Sequence, residues 1–266
     1  MSVALVIEND PTAGLGKLAE WLPGAGLATR RVRAYAGEAL PASPEGYAAV
    51  LVLGLDTTDG PAPAAVESLL RRAVRARVAT LGIGLGAQLL ATAHGGLVAP
   101  AAATARSGPA LVARRDAAGA DPLFAPVPFL ADVVQWHTRD VVALPAGAVV
   151  LASATHQVNQ AFRVGPAAWG VAFHIQADAA MVATWVDVGA GTGADADAGT
   201  PDHPPERAGP PAAGAPPAGN DPVAATAAVS EDLDRVWKPF AARFAALARG
   251  ELPTARPELP LREQEW

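Results

Sequence analysis

Val78-Ala-Thr-Leu-Gly-Ile-Gly84-Leu-Gly-Ala-Gln88 passes from a short apolar, strand-like run through small residues into helical spacing. A strand that turns sharply into a helix is how α/β hydrolytic enzymes present a reactive side chain. The residue at the apex sits in a strained conformation at the top of the sheet, and helix-start N–H groups beside it can hold an oxyanion. Here the apex is Gly84, which has no side chain, and the chain contains no cysteine. The segment therefore has the backbone pattern of a nucleophile elbow without a nucleophile.

Working outward, strands and helices alternate as in a doubly wound sheet. Residues 3–7 form a continuous apolar strand, as expected where both faces of a parallel sheet are covered. The pattern predicts a helix over 13–22, closed by Pro23-Gly24, and strands over 28–34 and 48–53. A helix over 65–77 sets Val66, Leu69, Leu70 and Val74 on one face. The strand over 78–84 and a helix over 86–94 complete this half. From Leu97 the elements shorten and become β-rich, with strands expected at 110–113, 130–137, 149–153, 159–164 and 170–174. A helix over 177–188 follows.

Composition then changes. From Gly189 to about Val223 the chain is almost entirely Gly, Ala, Pro, Asp and Thr, with Pro-Pro pairs at 204–205, 210–211 and 216–217. Such a segment buries too little apolar area to offset its ordering entropy, so a flexible insertion is expected over 191–223. Ser230-Glu-Asp-Leu-Asp reads as an N-cap with an acidic first turn. Leu233, Val236, Trp237, Phe240, Phe244 and Leu247 then make an apolar helix face. The expected organisation is one domain over 1–190, the insertion, a docking helix over 224–250 and a tail over 251–266 that ends on an unexplained Trp266.

Several segments in order resemble the class I glutamine amidotransferases, in particular their free-standing, GMP-synthase-like members. Residues 82–88 resemble the family's Gly-Ile-Cys-Leu-Gly-x-Gln. Ala4-Leu-Val-Ile-Glu-Asn-Asp-Pro11 resembles the opening strand, and Asp121-Pro-Leu-Phe124 with Gln135-Trp-His137 the middle. Asn159-Gln-Ala-Phe-Arg163 and Trp169-Gly-Val-Ala-Phe-His174-Ile-Gln176 are similar to the end, where the family writes Phe-His-Pro-Glu. The resemblance implies a three-layer, flavodoxin-like α/β fold with a mostly parallel sheet. It also implies a pocket lined by Gly54, Leu55, Asp56, Leu85, Gln88 and His137, with Gln88 helping to hold the elbow.

In the family a cysteine thiolate attacks the glutamine side-chain amide, a histidine shuttles the proton and a glutamate orients the histidine. This chain keeps His174, places Gly84 at the nucleophile position and puts Gln176 at the orienting position. Without a thiol the covalent route is closed. A glutamine can hydrogen-bond but cannot stabilise an imidazolium; neutralising the equivalent acid of a serine-protease triad costs about 10⁴-fold. Glycine at the elbow relieves the strain that a side chain would incur. The usual Gly-Gly-Pro of the oxyanion loop is also missing, since Gly54 is followed by Leu55-Asp56-Thr57-Thr58. Asp56 would oppose a developing negative charge or, alternatively, cap the next turn.

Other motifs are weaker. Gly82-x-Gly84-x-Gly86 has the wrong spacing for a dinucleotide site, and Gly14-Leu-Gly-Lys17 lacks the rest of a P-loop. His137, within Trp136-His-Thr-Arg-Asp140, reads equally as a ligand contact or as a loop histidine bonded to backbone. A metal site from His137, His174 and Asp140 has no support in spacing, and no cofactor is expected. His94 and His156 have no partner spacing, and His203 falls in the expected flexible insertion.

A formal charge of −6 and a pI near 5.3 argue against a nucleic-acid surface. No apolar run reaches a membrane span, the start is not basic, and a cytoplasmic location is the default. Two lysines against eighteen arginines, with abundant Ala, Gly and Pro, point to a GC-rich coding bias. The expected function is a catalytically inactive amidotransferase-like protein that binds a protein partner (a synthase-like or other biosynthetic enzyme, or a second copy) or a glutamine-like small molecule. The alternatives are different chemistry in the same pocket through His174 or His137 with Asp140, Asp56 or Thr57, and an authentic glutamine amidotransferase altered at 84 and 176.

Overall fold

The computed structural model describes residues 2–56, 62–101, 106–155, 157–193 and 221–255. In chain order they form β1 (Ser2–Glu8), α1 (Leu18–Gly24), β2 (Leu27–Arg33), β3 (Ala49–Leu53), α2 (Pro63–Arg75), β4 (Ala79–Ile83) and α3 (Leu85–Ala93). There follow β5 (Leu97–Pro100), β6 (Arg106–Arg114), β7 (Leu130–His137), β8 (Arg139–Ala143), β9 (Val149–Ala154), β10 (Gln157–Val164) and β11 (Ala168–Val171). The described chain closes with α4 (Ala179–Gly193), α5 (Pro222–Ala228) and α6 (Ser230–Ala248).

One sheet organises the molecule, in the order β2-β1-β3-β4-β11-β10-β9-β6-β7, and β5 pairs with β8 apart from it. The strands from β2 to β11 are parallel, and from β11 to β7 each neighbour is antiparallel. β1, β3 and β4 lie between helical layers and are almost wholly apolar and buried, which is why each reads as an unbroken hydrophobic run. Val66, Leu69 and Leu70 of α2 and Leu85, Leu89 and Leu90 of α3 cover one face. Leu18 and Trp21 of α1, Trp185 of α4 and Trp237, Phe240 and Phe244 of α6 cover the other. The three-layer α/β architecture expected from the alternation is present.

The glycines of the opening stretch have a packing cause. A Cβ at Gly86 would fall on the Val52 carbonyl, and one at Gly82 would lie 2.5 Å from the Gly86 carbonyl carbon. These small residues let α3 lie directly on β3 and β4.

Several expected bounds shift, each for a local reason. The helix expected over 13–22 begins only at Leu18, because the Asp10 carboxylate accepts from Thr12 N (2.7 Å) and Ala13 N (3.2 Å) and holds a turn. The strand expected over 170–174 ends at Val171, since Ala172 N donates to Gln160 O (2.8 Å) and His174 N to Val134 O (2.7 Å). Ser230 does not cap α6; its hydroxyl accepts instead from Lys17 Nζ at 3.1 Å, tying α6 to the turn before α1. Of the insertion expected over 191–223, residues 191–193 continue α4 and α5 starts at Pro222, with Asp221 accepting from Val223 N at 2.9 Å as its N-cap. Residues 194–220 and the end of the tail, including Trp266, lie outside the described residues. α6 docks as its apolar face requires: the Trp237 indole donates to Asp132 O at 2.8 Å, and Phe240 meets Phe124 edge-on at 5.3 Å.

Candidate active site

Gly84 joins β4 to α3 with φ 58° and ψ −117°, a left-handed conformation that costs a residue with a side chain on the order of 1–3 kcal/mol. The elbow expected from the sequence is therefore formed. It is also full. A Cβ at Gly84 would lie 2.6 Å from Gly54 O, 2.6 Å from His174 Cε1 and 2.9 Å from His174 Nε2. The imidazole and the Gly54 carbonyl thus occupy the space in which the first atom of a nucleophile would stand.

The same carbonyl blocks the neighbouring donor. In a hydrolytic elbow, the N–H of the residue after the nucleophile stabilises the oxyanion. Here that group, Leu85 N–H, donates to Gly54 O at 3.0 Å. Gly84 N–H is likewise spent on Val171 O at 2.9 Å.

His174 is fully buried. Burial pushes its imidazole down to about 3, the nearby His137 pushes the same way, and the Trp136 backbone opposes both. The ring is neutral at pH 7 and a poor proton acceptor, since a useful general base has a pKa near the working pH. Gln176 Nε2 lies 3.3 Å from His174 Nδ1, so the pair expected from their spacing does form. The amide carries no charge with which to hold an imidazolium. Among the described residues His174 Nε2 and Gln176 Oε1 have no hydrogen-bond partner.

The profile of the family described as Glutamine amidotransferase class-I matches residues 53–177. That segment is similar to the class I glutamine amidotransferases. The fold extends the likeness beyond it. A glutamine amidotransferase from Thermotoga maritima superposes with a TM-score of 0.72 at 19% identity, over 93% of this chain and 97% of that one. One from Methylobacillus flagellatus gives 0.69 at 22% identity, over 97% and 98%. A comparison with curated proteins gave no match.

The remaining positions of this amidotransferase-like domain fall into two groups. Gly54, Leu55, Leu85 and Gly84 are buried together at the elbow with His174 and Gln176. Asp56 and Gln88 form a second cluster. The Asp56 carboxylate accepts from Thr138 N (2.9 Å), Arg139 N (2.7 Å) and Gln88 Nε2 (2.9 Å). Through these bonds it anchors the start of β8; the turn that follows it in its own loop lies outside the described residues. Gln88 also donates to Arg139 O at 3.1 Å and accepts from Arg139 Nη2 at 3.2 Å, so its side chain ties β8 to the loop after β3. Thr57, His156 and His203 lie outside the described residues.

His137 ends β7 beneath the surface, with Nε2 3.3 Å from Asp140 Oδ1 and no hydrogen bond of good geometry at either ring nitrogen. It is not the backbone-bonded loop histidine of the blander expectation. Among the described residues no group of three or more His, Cys, Asp or Glu is placed to hold a metal.

Two features escaped the sequence reading. Trp185 packs against His174 with ring centroids 4.8 Å apart and planes tilted by 57°, and its indole donates to Thr12 O at 3.1 Å. Its place on the inward face of the helix after the last strand was the available signal. Asp121 joins three of the matching segments: it accepts from Leu123 N (2.9 Å), Arg163 Nε (2.9 Å) and Trp169 Nε1 (3.1 Å) while itself 2% exposed. Those segments are held together by folding geometry, away from the elbow chemistry.

Proposed function

We propose that this chain uses the class I glutamine amidotransferase fold for binding and does not hydrolyse glutamine. One observation carries the reading: the position of a nucleophile's Cβ is filled by the His174 ring and the Gly54 carbonyl. Three others support it. The apex residue is glycine, the Leu85 N–H is satisfied internally, and the imidazole is buried and weakly basic. Binding here means a protein partner, in a regulatory or scaffold role beside a biosynthetic enzyme. Leu111 and Leu130, diagonal neighbours on the β6–β7 ladder, and Phe129 before it remain 53%, 52% and 67% exposed, a surface that a partner would cover.

The alternative of a different chemistry in the same pocket draws on the His137–Asp140 contact, a buried imidazole beside a carboxylate. No hydroxyl or thiol accompanies that pair in any contact among the described residues. Glutamate release from glutamine by the unmodified protein tests the proposal. The expected result is a rate equal to the buffer blank, and saturable turnover would overturn it.

A further inference from the structure

We infer that the groove between the C-terminal half of α2 and the end of α3 is a binding site for a small molecule bearing a phosphate or diphosphate group. The groove has a volume of about 510 Å³ and is lined by Ser68, Arg71, Arg72, Arg75 and His94. That volume is in the range of sites that enclose small ligands, roughly 300–1,000 Å³. It lies on the helical layer formed by α2 and α3, and its lining shares no residue with the elbow.

The charge arrangement is unusual for a chain of net charge −6. Arg71 and Arg75 stand one turn apart, and so do Arg72 and Arg75, so the helix carries like charges at spacings where each pair is destabilising. Arg71 is partly neutralised by Glu67, with Nη1 3.4 Å from Oε2, while Glu67 Oε1 is taken by the Thr92 hydroxyl at 2.6 Å. Arg72 is fixed by donating to Ala42 O. Arg75 has no carboxylate within ion-pair distance among the described residues. The helix C-terminus presents only about half a negative charge, which one guanidinium would meet. The positive charge of α2 exceeds what Glu67 and the helix terminus offset, and these side chains line the groove.

The donors match a phosphate. Guanidinium groups present paired N–H donors to phosphate oxygens, and Ser68 adds a hydroxyl. His94 Nδ1 is 2.9 Å from Leu90 O, which commits that nitrogen to the backbone, so the ring forms part of the groove wall without adding a donor. On the other side of Arg72 and Arg75, a second cavity of about 340 Å³ also contains Glu45. That carboxylate disfavours an anion there and assigns the phosphate to the Ser68–His94 side.

Titration calorimetry of the full chain with inorganic pyrophosphate and with ADP tests the inference. Expected is saturable binding of at least one of the two that weakens as salt rises, with ADP tighter if the groove also holds a nucleoside. Arg72→Ala/Arg75→Ala should weaken it by about tenfold or more, as loss of charged hydrogen bonds requires. Arg235→Ala, on the solvent face of α6, should leave it unchanged. No binding of either probe at millimolar concentration would overturn the site. So would equal affinity in the double variant with its circular dichroism unchanged, or tighter binding of a pentaglutamate peptide than of pyrophosphate, which would make this an acidic-protein surface.

Discussion

Adding one methyl group at residue 84 should be among the most damaging small changes in this protein. Gly84→Ala places a Cβ at φ 58°, where a side chain costs about 1–3 kcal/mol in strain alone. The same atom meets Gly54 O and His174 Cε1 at 2.6 Å, and overpacking a tight interior typically costs about 1–3 kcal/mol more. The His174 ring has little freedom to retreat, with Trp185 packed at 4.8 Å and Gln176 on its Nδ1. The expected loss is about 2–6 kcal/mol of a total stability of about 5–15 kcal/mol. Urea unfolding followed by tryptophan fluorescence reads it directly. The same substitution in a His174→Ala background should cost less, with a coupling of about 0.5–3 kcal/mol, because two of the three contacts disappear. A Gly84→Ala protein within about 0.5 kcal/mol of the parent would refute the reasoning, since that is the range of an unobstructed surface change.

Other outcomes follow from the same contacts. His174 is held near 3 in the folded state against an ordinary value of 6.5. Between those values the unfolded chain binds the extra proton, so stability is full above about pH 6.5 and falls as pH drops toward 3, by at most about 1.4 kcal/mol per pH unit. Urea midpoints at pH 7 and pH 5 should therefore differ more in the parent than in His174→Gln; equal differences would remove the buried neutral imidazole from the account. Asp121→Ala leaves buried Arg163 without its carboxylate and should cost about 3–5 kcal/mol, checked by the shift in urea midpoint. Removing the Asp56 carboxylate by Asp56→Ala leaves Thr138 N, Arg139 N and Gln88 without their acceptor, and should raise amide exchange at 138–139 well before global unfolding.

The parallel half of the fold was legible because burial between two helical layers makes β1, β3 and β4 unbroken apolar runs. β5 and β8 were not, since they form a small separate ladder in which Leu97 and Val142 remain about half exposed and no alternation emerges. α5 was not separated from α6, since the docking helix expected over 224–250 covers most of both, although Asp221-Pro222 carries a helix start: an acid able to cap N2 and a proline whose missing N–H is harmless at N1. The elbow itself was readable from its glycines and apolar flanks. Its closure was not, because it depends on residues far apart in sequence: Gly54 turns its carbonyl toward Leu85 N, and Trp185 presses on His174. Asp56 shows the same limit, since its backbone partners Thr138 and Arg139 lie more than eighty residues away.

The central claim is that the elbow has been closed as well as emptied. Because the chain has no cysteine, Gly84→Cys would introduce a single thiol, placed at the closed position. The measurement is the rate at which the native Gly84→Cys protein reacts with a coloured disulfide reagent, relative to the same protein in urea. The account predicts a native thiol that reacts only as fast as the protein opens, many-fold slower than in urea. Labelling at the rate of an exposed thiol, in a protein whose circular dichroism matches the parent, would show an open pocket and contradict it.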